Sequence, residues 1–205
     1  MKIPYTYSII FHPLPVTIAN VESLKRSLIS KAGDYASQNS AAHITIAGFE
    51  ATENQLIGVS EYVRKFVKTE VAFTALFNQL SCSNFSQCAV FLPSFEFKNR
   101  IDEITKNVRK MMPVTKMSKI SQPHVSIGRQ LSEEQLTIAL QVFNNKSFKF
   151  DCCQLALRKF NPNLGQYEIV EVFPFSGEHS KEEMVQLSLF KHSKQKNANK
   201  KCWRL

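Results

Sequence analysis

No stretch of this chain is apolar for long enough to cross a membrane as a helix, which takes about 20 consecutive residues. No secretory leader is expected either. Met1-Lys2-Ile3-Pro4-Tyr5 carries one basic residue, and neither an apolar core nor a small-residue cleavage site follows. A cytoplasmic protein without a membrane partner is therefore expected. Cysteine is scarce and irregularly placed. Cys82, Cys88, Cys152, Cys153 and Cys202 are odd in number, and no spacing among them fits a zinc site. They read as reduced, packed thiols, with Cys152 and Cys153 pointing to opposite faces of one strand. No carboxylate or Cys/His cluster suits a metal, so neither metal nor cofactor is expected. Acid is absent from the end of the chain. Residues 191–205 hold six Lys/Arg and no Asp/Glu, so they carry +6 of the net +9. Excess positive charge favours a polyanionic partner, because neutralised phosphates release counterions. Here most of it sits on an arm and leaves the body at only +3.

What is present is ordinary for a globular protein: 43% hydrophobic and 21% charged residues over 205 positions, enough for one domain or a tight two-lobed unit. Sixteen phenylalanines supply core and stacking residues. The informative feature is a duplication. His43-Ile44-Thr45-Ile46 and His124-Val125-Ser126-Ile127 each place a histidine and a hydroxyl in alternation with two apolar residues. In a strand, His43 and Thr45 share one face, as do His124 and Ser126. Each tetrad thus sets a proton carrier beside a hydrogen-bond donor, and two such strands facing one another can grip a phosphate. Behind them come Thr52-Glu53-Asn54-Gln55 and Ser132-Glu133-Glu134-Gln135, both capping boxes with acid in the first helical turn. The histidines are 81 residues apart and the caps 80.

The rest of the chain fits two similar halves. Strands are predicted over 5–12, 42–49, 72–80, 88–92 and 124–128. Helices are predicted over 16–31 (stopped by Gly33), 52–68, 97–112 and 132–143. Residues 148–160 and 167–175 read as two arms of a hairpin around Asn161-Pro162-Asn163-Leu164-Gly165. Together they predict an α+β, bilobal duplicated fold: two mainly antiparallel sheets facing a central cleft, with helices outside. Residues 1–177 form the two-lobed domain, whose lobes exchange strands near the cleft. Residues 178–205 form a basic, flexible tail.

The paired tetrads resemble the two-histidine phosphoesterase superfamily, in particular its RNA 2′,3′-cyclic phosphodiesterase (2′-5′ RNA ligase-like) branch. The resemblance covers about residues 3–176. Pro123 before the second tetrad and Arg129 after it strengthen it. Ser126 stands where threonine is usual, which keeps the hydroxyl but loses the methyl that stiffens χ1. The resemblance implies a metal-independent enzyme that opens 2′,3′-cyclic phosphate ends of RNA and is able to run the reverse 2′-5′ ligation. His43 is the implied general acid, His124 the general base, and Thr45 and Ser126 the phosphate ligands. Arg129 is a weaker candidate, because strict alternation points it away from the histidine unless the strand bulges. Lys116 and Lys119, in the loop before the second tetrad, are weaker candidates for the RNA backbone. His12, His179 and His192 read as structural or solvent-exposed. The partner is an RNA or nucleotide with a cyclic phosphate, and the chain is expected to be a monomer.

One motif lies apart. Gln186-Leu187-Ser188-Leu189-Phe190 resembles the pentapeptide by which bacterial replication and repair proteins bind the sliding clamp. The alternative is that it packs on the domain. Two other functions follow from the same residues: a weakly catalytic nucleic-acid binding module recruited by that motif, or a phosphodiesterase for another cyclic or 2′-5′ nucleotide.

Overall fold

A computed structural model describes residues 4–114 and 116–177. The elements run β1 (Tyr5–Phe11), α1 (Pro15–Ala32), β2 (Ile44–Ala51), α2 (Glu53–Val67), β3 (Phe73–Ser83), β4 (Cys88–Pro93), α3 (Phe95–Lys110), β5 (Val125–Arg129), α4 (Glu133–Phe143), β6 (Phe148–Cys152), β7 (Gln154–Asn161) and β8 (Gln166–Pro174). Local chemistry sets most boundaries. Pro15 opens α1 where a missing N–H costs nothing, and Gly33, at φ 74°, closes it by donating to the Ile29 carbonyl. Thr52 and Ser132 cap α2 and α4 with complete capping boxes. In α4 the Ser132 hydroxyl accepts from Gln135 N and the Gln135 carbonyl accepts from Ser132 N, both at 3.1 Å.

Two four-stranded sheets result, ordered β2-β1-β7-β8 and β5-β4-β3-β6. Every strand pairing is antiparallel. Each motif strand is thus the outer strand of a sheet. The helices do not stay with their own halves. α1 packs on α4, β5 and β6, while α3 packs on β2 as well as β4. Phenylalanines fill the second sheet's core: Phe148 stacks on Phe77 at 5.5 Å and meets Phe91 edge-on at 5.4 Å. Among the described residues no helix is long and apolar enough to cross a membrane.

Two expectations are corrected. Residues 148–160 are not one strand. The chain leaves the second sheet at Cys153 and enters the first, so β6 pairs with β3 and β7 with β1 and β8. The burial pattern changes there: alternating from Phe148 to Cys152, then continuous from Leu155 to Arg158, as in a central strand covered on both faces. Cys153 consequently lies between strands, half-buried, while Cys152 ends β6 fully buried. Cys82, Cys88, Cys152 and Cys153 are free thiols, and Cys202 lies outside the described residues. The β7–β8 turn forms as expected, with Asn163 N donating to Asn161 Oδ1 and Gly165 at φ 63°.

Candidate active site

His43 and His124 stand immediately before β2 and β5. Ile44, Ile46, Val125 and Ile127 are buried behind them, and His43, Thr45, His124 and Ser126 are half-buried on the other face. The two imidazoles are held alike. His43 Nδ1 lies 2.8 Å from the Ala41 carbonyl, and His124 Nδ1 lies 2.8 Å from the Gln122 carbonyl. A carbonyl only accepts, so each Nδ1 carries the proton. Nε2 is then the working nitrogen of both rings: a base when neutral, a donor when charged.

Both motif strands bulge at the same place. Along β1, Ile9 faces Ala47 and Ile10 faces Thr45, which leaves Ile46 as the extra residue. Along β4, Ala89 faces Gly128 and Val90 faces Ser126, which leaves Ile127 as the extra residue. A bulge takes a carbonyl out of the ladder, and a buried carbonyl needs a donor. The opposite half supplies it each time. Tyr35 Oη donates to the Ile127 carbonyl and Arg109 Nη1 to the Ile46 carbonyl, both at 3.1 Å. Next to them, Arg129 N donates to Ser37 Oγ at 2.7 Å and Gly48 N to Ser118 Oγ at 3.0 Å. The loop before each motif strand therefore clasps the motif strand of the other half.

The bulge corrects the direction of Arg129. The extra residue resets the alternation, and the side chain turns into a cleft of about 530 Å³ that it lines with His43, Arg158, Phe160 and Tyr167. Ala36, Ser37, Asn39, Ser40 and Ala41 supply another wall. Lys25, only 2% exposed, holds that loop through bonds to the Ser37 and Ser40 carbonyls and Ser40 Oγ, and burial pulls its pKa down to about 8. Lys116 and Lys119 are not part of that wall. Lys116 Nζ pairs with Glu50 at 3.1 Å, and Lys119 is exposed.

Burial drives the His43 pKa down to about 3, with the Arg158 charge next and Arg129 and His124 adding to it; the bond to Ala41 opposes them. His43 is neutral at pH 7 in these surroundings. His12, at the end of β1, is half-buried, and burial followed by the Arg158 charge lowers its pKa. His179, His192 and the Gln186–Phe190 motif lie outside the described residues.

Sequence reasoning missed Arg158, Tyr167, Lys25, Tyr35 and Arg109. Only Arg158 carried a signal: a charge at the end of the apolar run Leu155-Ala156-Leu157. It is 8% exposed, donates from Nε to Ser8 Oγ at 3.1 Å, and lies 4.9 Å from the centre of the Tyr167 ring.

Comparison with known proteins gives the family and the fold. The family model of the 2′-5′ RNA ligase superfamily matches residues 13–163. No curated protein sequence matches. Among solved structures, E. coli LigT in its apo form superposes with a TM-score of 0.62 at 14% identity, over 84% of this chain and 98% of LigT. E. coli LigT complexed with 3′-AMP gives 0.62 at 14%, over 84% and 99%. TT0787 of Thermus thermophilus gives 0.61 at 14%, over 85% and 100%. At that identity the likeness establishes the fold, α+β with two antiparallel sheets. With the family matched across both tetrads, the chain belongs to the 2′-5′ RNA ligase superfamily of two-histidine phosphoesterases.

Proposed function

We propose that the chain is a metal-independent phosphodiesterase that hydrolyses the 2′,3′-cyclic phosphate ends of RNA; with an RNA 5′-hydroxyl in place of water as the attacking group, the same chemistry gives 2′-5′ ligation. The observation that carries this reading is the matched pair of imidazoles on equivalently bulged outer strands, each with Nδ1 fixed by a carbonyl. Two solved relatives support it, E. coli LigT complexed with phosphate and with 3′-AMP.

Opening the cyclic ester takes one proton from water and gives one to the departing ribose oxygen. His124 takes the first through Nε2 as general base. His43 gives the second as general acid. The phosphate brings a negative charge beside His43, which offsets Arg158 and Arg129 and loads the ring with the proton it donates. Thr45 and Ser126 hydrogen-bond the non-bridging oxygens and stabilise charge at the pentavalent phosphorus. Arg129, turned inward by its bulge, lines the cleft beside them.

Each proton transfer is worth about 10²–10⁴-fold in rate. His43→Ala and His124→Ala should therefore each lower turnover at least about 10²-fold while circular dichroism stays native. The double variant should lose far less than the product of the two, because the residues act as a unit. Full activity in either single variant contradicts the mechanism.

A further inference from the structure

Arg158 is more than a structural charge. It is nine-tenths buried on a central strand, and among the described residues no carboxylate pairs with it. Its Nε is taken by Ser8 Oγ and one face of its plane by Tyr167, so the guanidinium is fixed before any ligand arrives. Arg129 lines the same cleft, and the two charges are close enough that Arg129 lowers the Arg158 pKa. Two guanidiniums turned on one cavity, with no acid between them, call for an anion.

The phosphate at the histidines has a ligand set of its own in the proposed reaction. The tetrads already offer it two imidazoles and two hydroxyls from β2 and β5. Arg158 lies two strands away from β2, about 10 Å at ordinary strand spacing. In register it faces Ser8, which faces Gly48, five residues beyond His43. Its anchor is therefore displaced from His43 both across the sheet and along it, although its charge is felt there. The cleft of about 530 Å³ falls within the usual range for ligand pockets, about 300–1,000 Å³.

We propose that Arg158, fixed by Ser8 and Tyr167, binds a second phosphate of the substrate, separate from the one between the histidines. This rests on the phosphodiesterase reading and narrows its substrate class. The preferred molecule is a nucleotide or oligonucleotide bearing a further phosphate, rather than a bare nucleoside cyclic phosphate. Arginine suits the role because its rigid fork meets two phosphate oxygens at once.

Calorimetric titration with a nucleoside 3′-monophosphate and with the same nucleoside 3′,5′-bisphosphate tests this without turnover. The full-length wild type should bind the bisphosphate about 10- to 100-fold more tightly, the value of a good charge-assisted hydrogen bond. Arg158→Met should remove most of that ratio. Arg158→Lys, which keeps the charge but not the fork, should retain part of it. A wild type with no preference overturns the proposal even if the variants fail to fold. So does an Arg158→Met protein that keeps the full ratio, or one that loses both ligands equally, which would place Arg158 on the phosphate at the histidines. Because binding is read directly, a failed cyclic-phosphate assay would overturn the phosphodiesterase reading and leave this result standing.

Discussion

His43 is held neutral by burial and by the cations around it, yet the proposed acid must carry a proton. The two statements meet in a linkage. The ring's pKa, about 3 from its protein surroundings alone, has to rise when a phosphate lies beside it. A site whose pKa is raised by a ligand takes up a proton as the ligand binds, so affinity increases as pH falls. Calorimetric titration of a nucleoside 3′-monophosphate in buffers of different ionisation enthalpy should show net proton uptake between pH 5 and 7, reduced in His43→Asn. Uptake of zero throughout that window would show that His43 stays neutral in the complex and would pass the acid role to His124.

The two bulges position the motif residues, and each depends on a donor from the opposite half. Tyr35→Phe removes one hydroxyl and leaves the Ile127 carbonyl buried without a partner. Leaving a buried polar group unpaired costs about 1–3 kcal/mol, which a urea melt should show. The same change should lower turnover, since the strand that aims Arg129 loses its fixing point. A variant as stable as the wild type would mean that the carbonyl finds another donor. This clasp also explains what was readable in the sequence. Thr52 with Gln55 and Ser132 with Gln135 act within one helical turn, so residue order reveals both caps. The tetrads were equally plain, because alternation alone separates His43 and Thr45 from Ile44 and Ile46. Arg129 pointed the wrong way on paper because a bulge is a property of two paired strands, and β4 does not neighbour β5 in sequence. The break at Cys153 and the arrival of Arg158 in the cleft depend on β7 crossing to β1, about 150 positions earlier. Gly33 and the Asn161–Gly165 turn are local, and both were legible.

At the scale of the whole molecule, the proposed activity on RNA ends raises the role of the basic end of the chain. The charge is unevenly spread, with +6 of +9 in residues 191–205. Deleting residues 184–205 removes that excess together with Gln186–Phe190. If the pentapeptide is a clamp ligand, the truncated chain should keep its melting temperature and turnover while losing binding to purified sliding clamp. Micromolar affinity, about 8 kcal/mol, is then the expectation for its two apolar anchors. If Leu187, Leu189 and Phe190 instead pack on the domain, the deletion should destabilise it by roughly 1.5–3 kcal/mol for each buried side chain. No clamp binding by the intact chain at tens of micromolar ends the recruitment reading. The activity itself is tested most directly by one incubation: RNA ending in a 2′,3′-cyclic phosphate, with excess EDTA, followed by identification of the product end. The paired-histidine mechanism predicts conversion to a single phosphomonoester at an undiminished rate. An intact cyclic end, or turnover that requires an added divalent ion, would contradict it.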